Sequence, residues 1–236
     1  MKLALIGFGA MGKLVTELAR AAGDEVGLTL TSRDAGKNAA QMATELAGYD
    51  VAIDFSVGPA VLGNIDACAR ARVPLVEGTT GWMQNEAEAR RLVAEHDCAL
   101  VFGANFSIGV NVFYRMVEHA ARLMAGLDQY EAFIQEEHHS RKRDAPSGTA
   151  LKLKEKLTAS LKRDIPVAST RAGHIPGTHR VGFDSAADQI LLTHTARSRE
   201  GFAAGALLAA RWIVGRKGVF EFSDVIDEIL KNPVEV

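Results

Sequence analysis

Fifteen residues from Glu136 to Ala150 carry the densest chemistry in the chain: Glu136-Glu137-His138-His139-Ser140-Arg141-Lys142-Arg143-Asp144-Ala145-Pro146-Ser147-Gly148-Thr149-Ala150. Two imidazoles, an ammonium and two guanidiniums fall between His138 and Arg143. Pro146-Ser147-Gly148-Thr149 then reads as the opening of a helix, whose free amides form an anion site. Cations facing such a site would bind a carboxylate or phosphate and could supply protons. Blander readings stand beside this one. Adjacent histidines are often surface residues, a Lys/Arg run is usually a solvated face, and Asp144–Thr149 could be only a turn and a helix cap. A metal held by His138 and His139 is disfavoured, because neighbours on a strand point to opposite faces and the nearby charges are basic; no metal is expected.

The second chemical signal is Gly7-Phe8-Gly9-Ala10-Met11-Gly12, a G-x-G-x-x-G run after a short apolar strand and at the mouth of a helix. The first Gly permits the tight turn, the second lets a pyrophosphate approach the backbone, and the third lets helix and strand pack closely. A glycine-rich connection without a ligand is the alternative, and the strand–helix context favours a dinucleotide. Dinucleotide sites for NAD usually carry an acidic residue about 20 positions further on. Here Thr31-Ser32-Arg33 stands in that place. Hydroxyls and a guanidinium suit a 2′-phosphate, which Arg can bind in a bidentate fashion. NADPH is therefore favoured over NADH, the alternative being a solvated turn in which Asp34 meets the ribose.

These groups need a frame. Up to about residue 106, short apolar runs (Leu3–Ile6, Val26–Leu30, Val51–Phe55, Pro74–Val76, Ala99–Phe102) alternate with amphipathic segments (Met11–Ala22, Asn38–Leu46, Ala60–Ala71, Asn85–Ala94). That alternation predicts βαβ units and a parallel, doubly wound Rossmann sheet. Beyond Phe106 the rhythm changes to a long helix (Val110–Met124), an extended run (Tyr130–Glu137), a helix (Ser147–Leu161) and strands near Val167–Arg171, Arg180–Phe183 and Gln189–Thr195. This predicts an α+β domain with an open, mixed but mostly antiparallel sheet covered by helices on one face. The apolar helix Phe202–Val214 and a last helix Val225–Leu230 could pack back on the first domain. The division is drawn at 1–106 with 211–236 for the dinucleotide domain, and 107–210 for substrate binding and oligomerisation.

Composition narrows the class. With 236 residues, 47% hydrophobic and 24% charged, the chain can bury a core, and disorder is not its default. A formal net charge of −2 gives no global pull toward nucleic acid or acidic membranes. Cys68 and Cys98, the only cysteines, lie among small or apolar residues and read as buried spectators. No apolar run approaches the roughly 20 residues that span a bilayer, and no signal-peptide core follows Met1-Lys2, so a cytoplasmic protein is expected.

The Glu136–Ala150 stretch resembles the signature E-x-H-H-x-x-K-x-D-A-P-S-G-T-A of the 4-hydroxy-tetrahydrodipicolinate reductase family, also called dihydrodipicolinate reductase. Further segments are similar to that family in the same order: the glycine loop, Asp54-Phe55-Ser56, Gly78-Thr79-Thr80-Gly81-Trp82, Ala104–Asn111, Arg171-Ala172-Gly173, Gly177-Thr178-His179 and Thr193–Arg199. The resemblance implies NAD(P)H-dependent reduction of a cyclic dicarboxylated imine to tetrahydrodipicolinate, in lysine and diaminopimelate biosynthesis. It implies His138 as proton donor/acceptor, Lys142 as the donor completing the reduction, and His139, Gly148 and Thr149 as binders of substrate carboxylates. It also implies that Gly7, Phe8, Gly9, Ala10, Met11, Gly12, Ser32, Arg33, Gly78, Thr79, Thr80, Gly103, Ala104, Asn105 and Phe106 line the cofactor, and that the protein is a homotetramer assembled through its second domain. Two departures stand out. Family members often carry one more residue in the glycine loop, an Arg before the Met, for which Lys13 is a candidate substitute, and the segment between the second and third strands is short. The rival readings are another imine or amino-acid reductase of the same architecture and a non-catalytic NAD(P)-sensing regulator; neither needs the whole His138–Thr149 loop.

Overall fold

In the computed structural model, residues 1–231 are described. The elements in chain order are β1 (Lys2–Ile6), α1 (Ala10–Ala21), β2 (Glu25–Leu30), α2 (Ala39–Leu46), β3 (Val51–Asp54), α3 (Val61–Ala71), β4 (Leu75–Glu77), α4 (Glu86–Glu95), β5 (Ala99–Phe102), α5 (Ile108–Met124), β6 (Glu131–His138), α6 (Gly148–Leu161), β7 (Val167–Arg171), β8 (Thr178–Asp184), β9 (Gln189–Thr195), α7 (Glu200–Ile213), β10 (Gly218–Glu221) and α8 (Phe222–Lys231). They divide into two compact units.

The first unit runs from Met1 to Ile108 and resumes at Arg199. Its sheet has six strands, all parallel, in the order β10-β5-β4-β3-β1-β2. Strand side chains alternate between two apolar layers, as a period of two demands. Ala4, Ala52, Leu75 and Leu100 join the layer that includes Leu46, Ile65, Cys68 and Leu92 of α2, α3 and α4. Leu3, Val51, Ile53, Val76 and Val101 join the layer that includes Val15 of α1, Ala206 and Ala210 of α7, and Val225 of α8. Burial on both faces is why these strands read as near-continuous apolar runs. The chain order reverses between β1 and β3, and in open α/β sheets ligands bind beyond the carboxyl ends of the strands at such a reversal.

Two details differ from the sequence-based division. The chain returns at Arg199 and not at residue 211. The reason is that Ala203, Ala206, Leu207, Ala209, Ala210 and Ile213 of α7 are all part of the first unit's core. The stretch after α7 also holds β10, which pairs with β5 as a sixth strand and was not expected. Residues 232–236 of the expected first domain lie outside the described residues.

The second unit, Gly109–Ser198, carries a four-stranded mixed sheet in the order β7-β6-β8-β9. β6 pairs in parallel with β7 and antiparallel with β8, which pairs antiparallel with β9. One face is covered: Phe113 and Val117 of α5 and Leu153 and Leu157 of α6 pack against Ala132, Ile134, Val181 and Phe183. Among the described residues no helix is long and apolar enough to cross a membrane.

Candidate active site

The glycine loop leaves β1 with Gly7 at φ +88°, in the left-handed region that an L side chain rarely adopts. The Gly7 N–H donates to the Leu30 carbonyl at 2.9 Å, which pins the turn to β2. A Cβ on Gly12 would lie 2.2 Å from the Gly7 carbonyl oxygen, so α1 can press on the loop only with glycine there. Gly9 is the opposite case. It caps α1 without a side-chain hydrogen bond, and a Cβ there would meet nothing within 4 Å. Open main chain at a helix N-terminus is what a pyrophosphate requires. Beside the loop lies a cleft of about 150 Å³ lined by Met11, Phe55, Gly78, Gly103, Ala104, Asn105, Phe106 and Phe202, all within the first unit. Six of these were expected to line the cofactor; Phe55, named only within the Asp54-Phe55-Ser56 segment, and Phe202 were not.

Ser32 and Arg33 lie in a 3-10 turn just after β2 and not in the cleft lining. The turn closes on itself: Thr31 N–H donates to Asp34 Oδ2 at 2.8 Å, and Arg33 N–H donates to Thr31 Oγ1 at 3.3 Å. Asp34 also pairs with Lys37 at 2.7 Å, and these contacts hold its carboxyl below the usual range, the Lys37 hydrogen bond foremost. The Asp34 carboxylate, the alternative partner for a ribose, is thus engaged locally. Arg33 is exposed and makes no ion pair among the described residues. Thr79 faces inward, its N–H donating to Glu77 Oε1 at 2.7 Å and its hydroxyl accepting from Ser56 N–H at 3.0 Å.

In the second unit the chemistry sits at the head of β6. Glu136 and His138 follow Ala132 and Ile134 on the covered face, because residues two apart on a strand share a side. Glu136 stands opposite His179 on β8, and His138 beside Arg171 on β7. Glu136 is fully buried and hydrogen-bonded on both oxygens. Arg171 donates to Oε1 at 2.6 Å and to Oε2 at 3.0 Å, Ser147 N–H donates to Oε1 at 3.3 Å, and Oε2 meets His138 Nδ1. Burial alone would favour the neutral acid, but the Arg171 guanidinium and the other donors prevail and bring its pKa down to about 2.

Beside an ionised carboxylate, Nδ1 of His138 carries the proton, which leaves Nε2 for chemistry. Burial lowers the His138 pKa against the pull of Glu136, so the imidazole is a base held in one tautomer. Next to it, His179 is lowered to about 4, mainly by burial and then by the His138 charge. Its Nε2 lies 2.9 Å from Ser147 Oγ. Ser147 caps α6, its Oγ accepting from Ala150 N–H at 3.2 Å. One hydrogen-bonded hub thus joins His138 to the helix start that bears Gly148 and Thr149.

Lys142 pairs with Asp144 at 2.9 Å, and its charge acts on both His138 and His179. Arg171 holds the loop by donating to the Asp144 carbonyl at 2.5 Å. Gly148 is open, with nothing within 4 Å of a would-be Cβ, while Thr149 hydrogen-bonds the Tyr114 hydroxyl. His139 follows β6 just outside the strand, and its Nδ1 is buried without a partner. Glu136, His138 and His179 place three ligand-type atoms within 4.8 Å of one another, a spacing a metal ion could use. Arg171 already takes both oxygens of that carboxylate, which disfavours a second cation. The sequence reading saw Glu136 only as part of the motif and did not anticipate the roles of Arg171, Ser147 and His179.

Residues 1–106 match the family described as dihydrodipicolinate reductase, N-terminus, and residues 109–226 match dihydrodipicolinate reductase, C-terminus. The chain belongs to the dihydrodipicolinate reductase family. Among its relatives in this family is the 4-hydroxy-tetrahydrodipicolinate reductase of Christiangramia forsetii, 38% identical over 98% of this chain and 100% of the relative. The protein of the same name from an Anaeromyxobacter species is 37% identical over 92% and 95%. A solved structure titled dipicolinate-bound dihydrodipicolinate reductase, from a Paenisporosarcina species, shares the fold with a TM-score of 0.78. It is 18% identical, and the match covers 94% of this chain and 97% of that one.

Proposed function

We propose that the chain reduces 4-hydroxy-tetrahydrodipicolinate to tetrahydrodipicolinate with a reduced nicotinamide cofactor, NADPH in preference to NADH, using His138 and Lys142 to manage protons. The observation that carries the reading is the Glu136–His138–Arg171 hub fused to the start of α6, in a chain that belongs to a reductase family over both its units. When bound, the nicotinamide supplies the hydride; the protein orients, shields and moves protons.

The open amides at Gly9 and the start of α1 would hold the pyrophosphate, and Met11, Gly78 and Gly103–Phe106 would line the nicotinamide end. Arg33, exposed on its turn while Asp34 is tied to Lys37, would take a 2′-phosphate. In the second unit, the first amides of α6 at Gly148 and Thr149, with His139, would bind the substrate carboxylates. His138 exchanges a proton through Nε2 while Glu136 fixes the ring and stabilises the imidazolium once it forms. Lys142 releases its hold on Asp144 and delivers the proton that completes the reduction. The second sheet supports a homotetramer, since its edge strand β9 exposes Leu191 (49%) on the open face and Ile190 (40%) beside the covered one. The setting proposed is the cytoplasm.

The test is a coupled assay with enzymatically generated hydroxy-tetrahydrodipicolinate, following nicotinamide absorbance with each cofactor. Turnover is expected only with the cyclic dicarboxylate present. Arg33→Ala should weaken NADPH by about 1.5–3 kcal/mol, the range for losing a charge-assisted hydrogen bond, and leave NADH nearly unchanged. Cofactor binding without turnover would remove the substrate assignment, and equal losses for both cofactors would remove the 2′-phosphate role.

A further inference from the structure

Behind the cleft of the first unit lies a pair of carboxyls that the reaction above does not use. β3 and β4 are neighbours in register, so Asp54 and Glu77 stand side by side at their carboxyl ends. They continue the Ala52 and Leu75 rows into the layer beneath α3. Both are fully buried. Asp54 Oδ1 accepts from Ser56 N–H at 2.7 Å, and Oδ2 accepts from Asn64 Nδ2 at 2.7 Å. Glu77 Oε1 accepts from Thr79 N–H, whereas Oε2 is buried and meets no N–H or O–H donor. No Lys, Arg or His hydrogen-bonds or ion-pairs with either carboxyl among the described residues.

Two bare carboxylates in contact, without a cation and out of water, are electrostatically untenable, and one proton between them removes the difficulty. It also gives the second Glu77 oxygen a partner. Burial pushes both carboxyls up, and Glu77 further because the Asp54 charge faces it.

The pair's hydrogen bonds run into the two turns that follow β3 and β4. Ser56 N–H bonds both Asp54 and Thr79 Oγ1, and Thr79 N–H bonds Glu77. These turns present Phe55 and Gly78 to the cleft. They also interlock: a Cβ on Gly78 would lie 2.1 Å from the Phe55 ring, and one on Gly7 would lie 2.4 Å from the Phe55 carbonyl oxygen. We propose that Asp54 and Glu77 share one proton and act together as positioning residues for the cofactor cleft, fixing the Asp54–Ser56 and Gly78–Thr80 turns against the glycine loop. The cofactor's identity rests on the reading above; the shared proton does not.

The groups facing the pair are Asn64 and Cys68 of α3, Ser56 and Thr79 of the turns, Ile6 of β1 and Phe102 of β5. Of these only the Cys68 thiol titrates, and burial followed by the Asp54 charge pushes it well above its ordinary range. It is common to every variant compared below.

The experiment measures NADPH and NADH affinity by fluorescence titration, and melting temperature, from pH 7 to 9 for wild type, Glu77→Gln and Glu77→Leu. Gln mimics the protonated acid: its amide can donate to Asp54 and its carbonyl can accept from Thr79. Glu77→Gln should bind cofactor within about threefold of wild type at pH 7 and keep that affinity at pH 9, while wild type weakens as the proton leaves. Glu77→Leu should bind about tenfold or more weakly at every pH, with substrate KM at saturating cofactor unchanged. A folded Glu77→Leu with wild-type cofactor affinity overturns the positioning role. A Gln variant as impaired as the Leu variant, or a wild type as flat with pH as Gln, overturns the shared proton. If wild type binds neither cofactor, the reading of the cleft fails. The proton is then judged by melting alone, which must fall toward pH 9 in wild type more than in Glu77→Gln.

Discussion

In the six-stranded unit, the groups proposed to meet the cofactor are mainly backbone: the open amides at Gly9, the glycine-lined wall of the cleft and the turn that Gly7 permits. In the four-stranded unit the proposed proton chemistry rests on side chains, with Glu136, His138, Arg171, His179 and Ser147 tied together in one hydrogen-bonded hub. A backbone site is set by how closely chains approach, so it is sensitive to a single added Cβ and tolerant of many side-chain changes elsewhere. A side-chain site is set by charge balance in a buried place, so it is sensitive to the loss of one partner.

The hardest blow to the first kind is Gly12→Val. Its Cβ would lie 2.2 Å from the Gly7 carbonyl oxygen, and main chain cannot step aside as a side-chain tip can. Cofactor binding should fall below detection, with a stability loss of about 1–3 kcal/mol. Titration and denaturant unfolding read both, and retained affinity would break the contrast between the two units.

Next in size comes the proton step. Lys142→Ala should lower kcat and kcat/KM together by about 10²–10⁴, the range for a positioned general acid, while NADPH affinity is kept. Thr149→Val should chiefly raise KM, because a carboxylate contact present in ground and transition state alike is removed. Steady-state kinetics on both variants beside a cofactor titration decide the matter. A near-normal kcat in Lys142→Ala would leave His138 with solvent as the proton source.

The smallest effect sharpens the comparison through pH. Glu136 is held at about 2 against an ordinary value of 4.5, so its contribution to stability is present above 4.5 and lost as pH falls through 2. Glu136→Gln should cost about 1–2 kcal/mol at neutral pH and erase that acid limb. His179, lowered from 6.5 to about 4, gives a separate limb, present above 6.5 and lost as pH falls through 4. That limb should survive in the variant. Denaturant midpoints from pH 7 to 2 check this, and a Gln variant as acid-sensitive as wild type would deny Glu136 its place at the hub.

Local signals carried much of the frame into the sequence. Ala99–Phe102, Val167–Arg171 and Gln189–Thr195 are strands at the residues the pattern indicates, since each is a compact run between breakers. β10 went unseen because four residues with two large apolar side chains, placed after a long apolar helix, do not establish a period of two. Glu77 illustrates a second gap. A carboxylate just past Pro74–Val76 reads as the solvated end of a strand, and only the register with Asp54 makes it a buried acid. The hub was hidden for the same reason: Glu136 and His179 are 43 positions apart, and nothing local says they will stand opposite one another.

The excursion of the chain between Ile108 and Arg199 has a consequence for biogenesis. The second unit is one unbroken segment, whereas the first lacks α7, which shares one flank of its core with α1 and α8, until residue 213 has been made. At roughly 5–20 residues per second, synthesis of the residues between 108 and 213 takes about 5–20 s. Through that interval the β1–β5 sheet has one apolar layer covered only by α1, while the later segment can already close its own core. A nascent chain of this protein is therefore most exposed to aggregation in its first hundred residues, and chaperone demand falls on the half that is translated first.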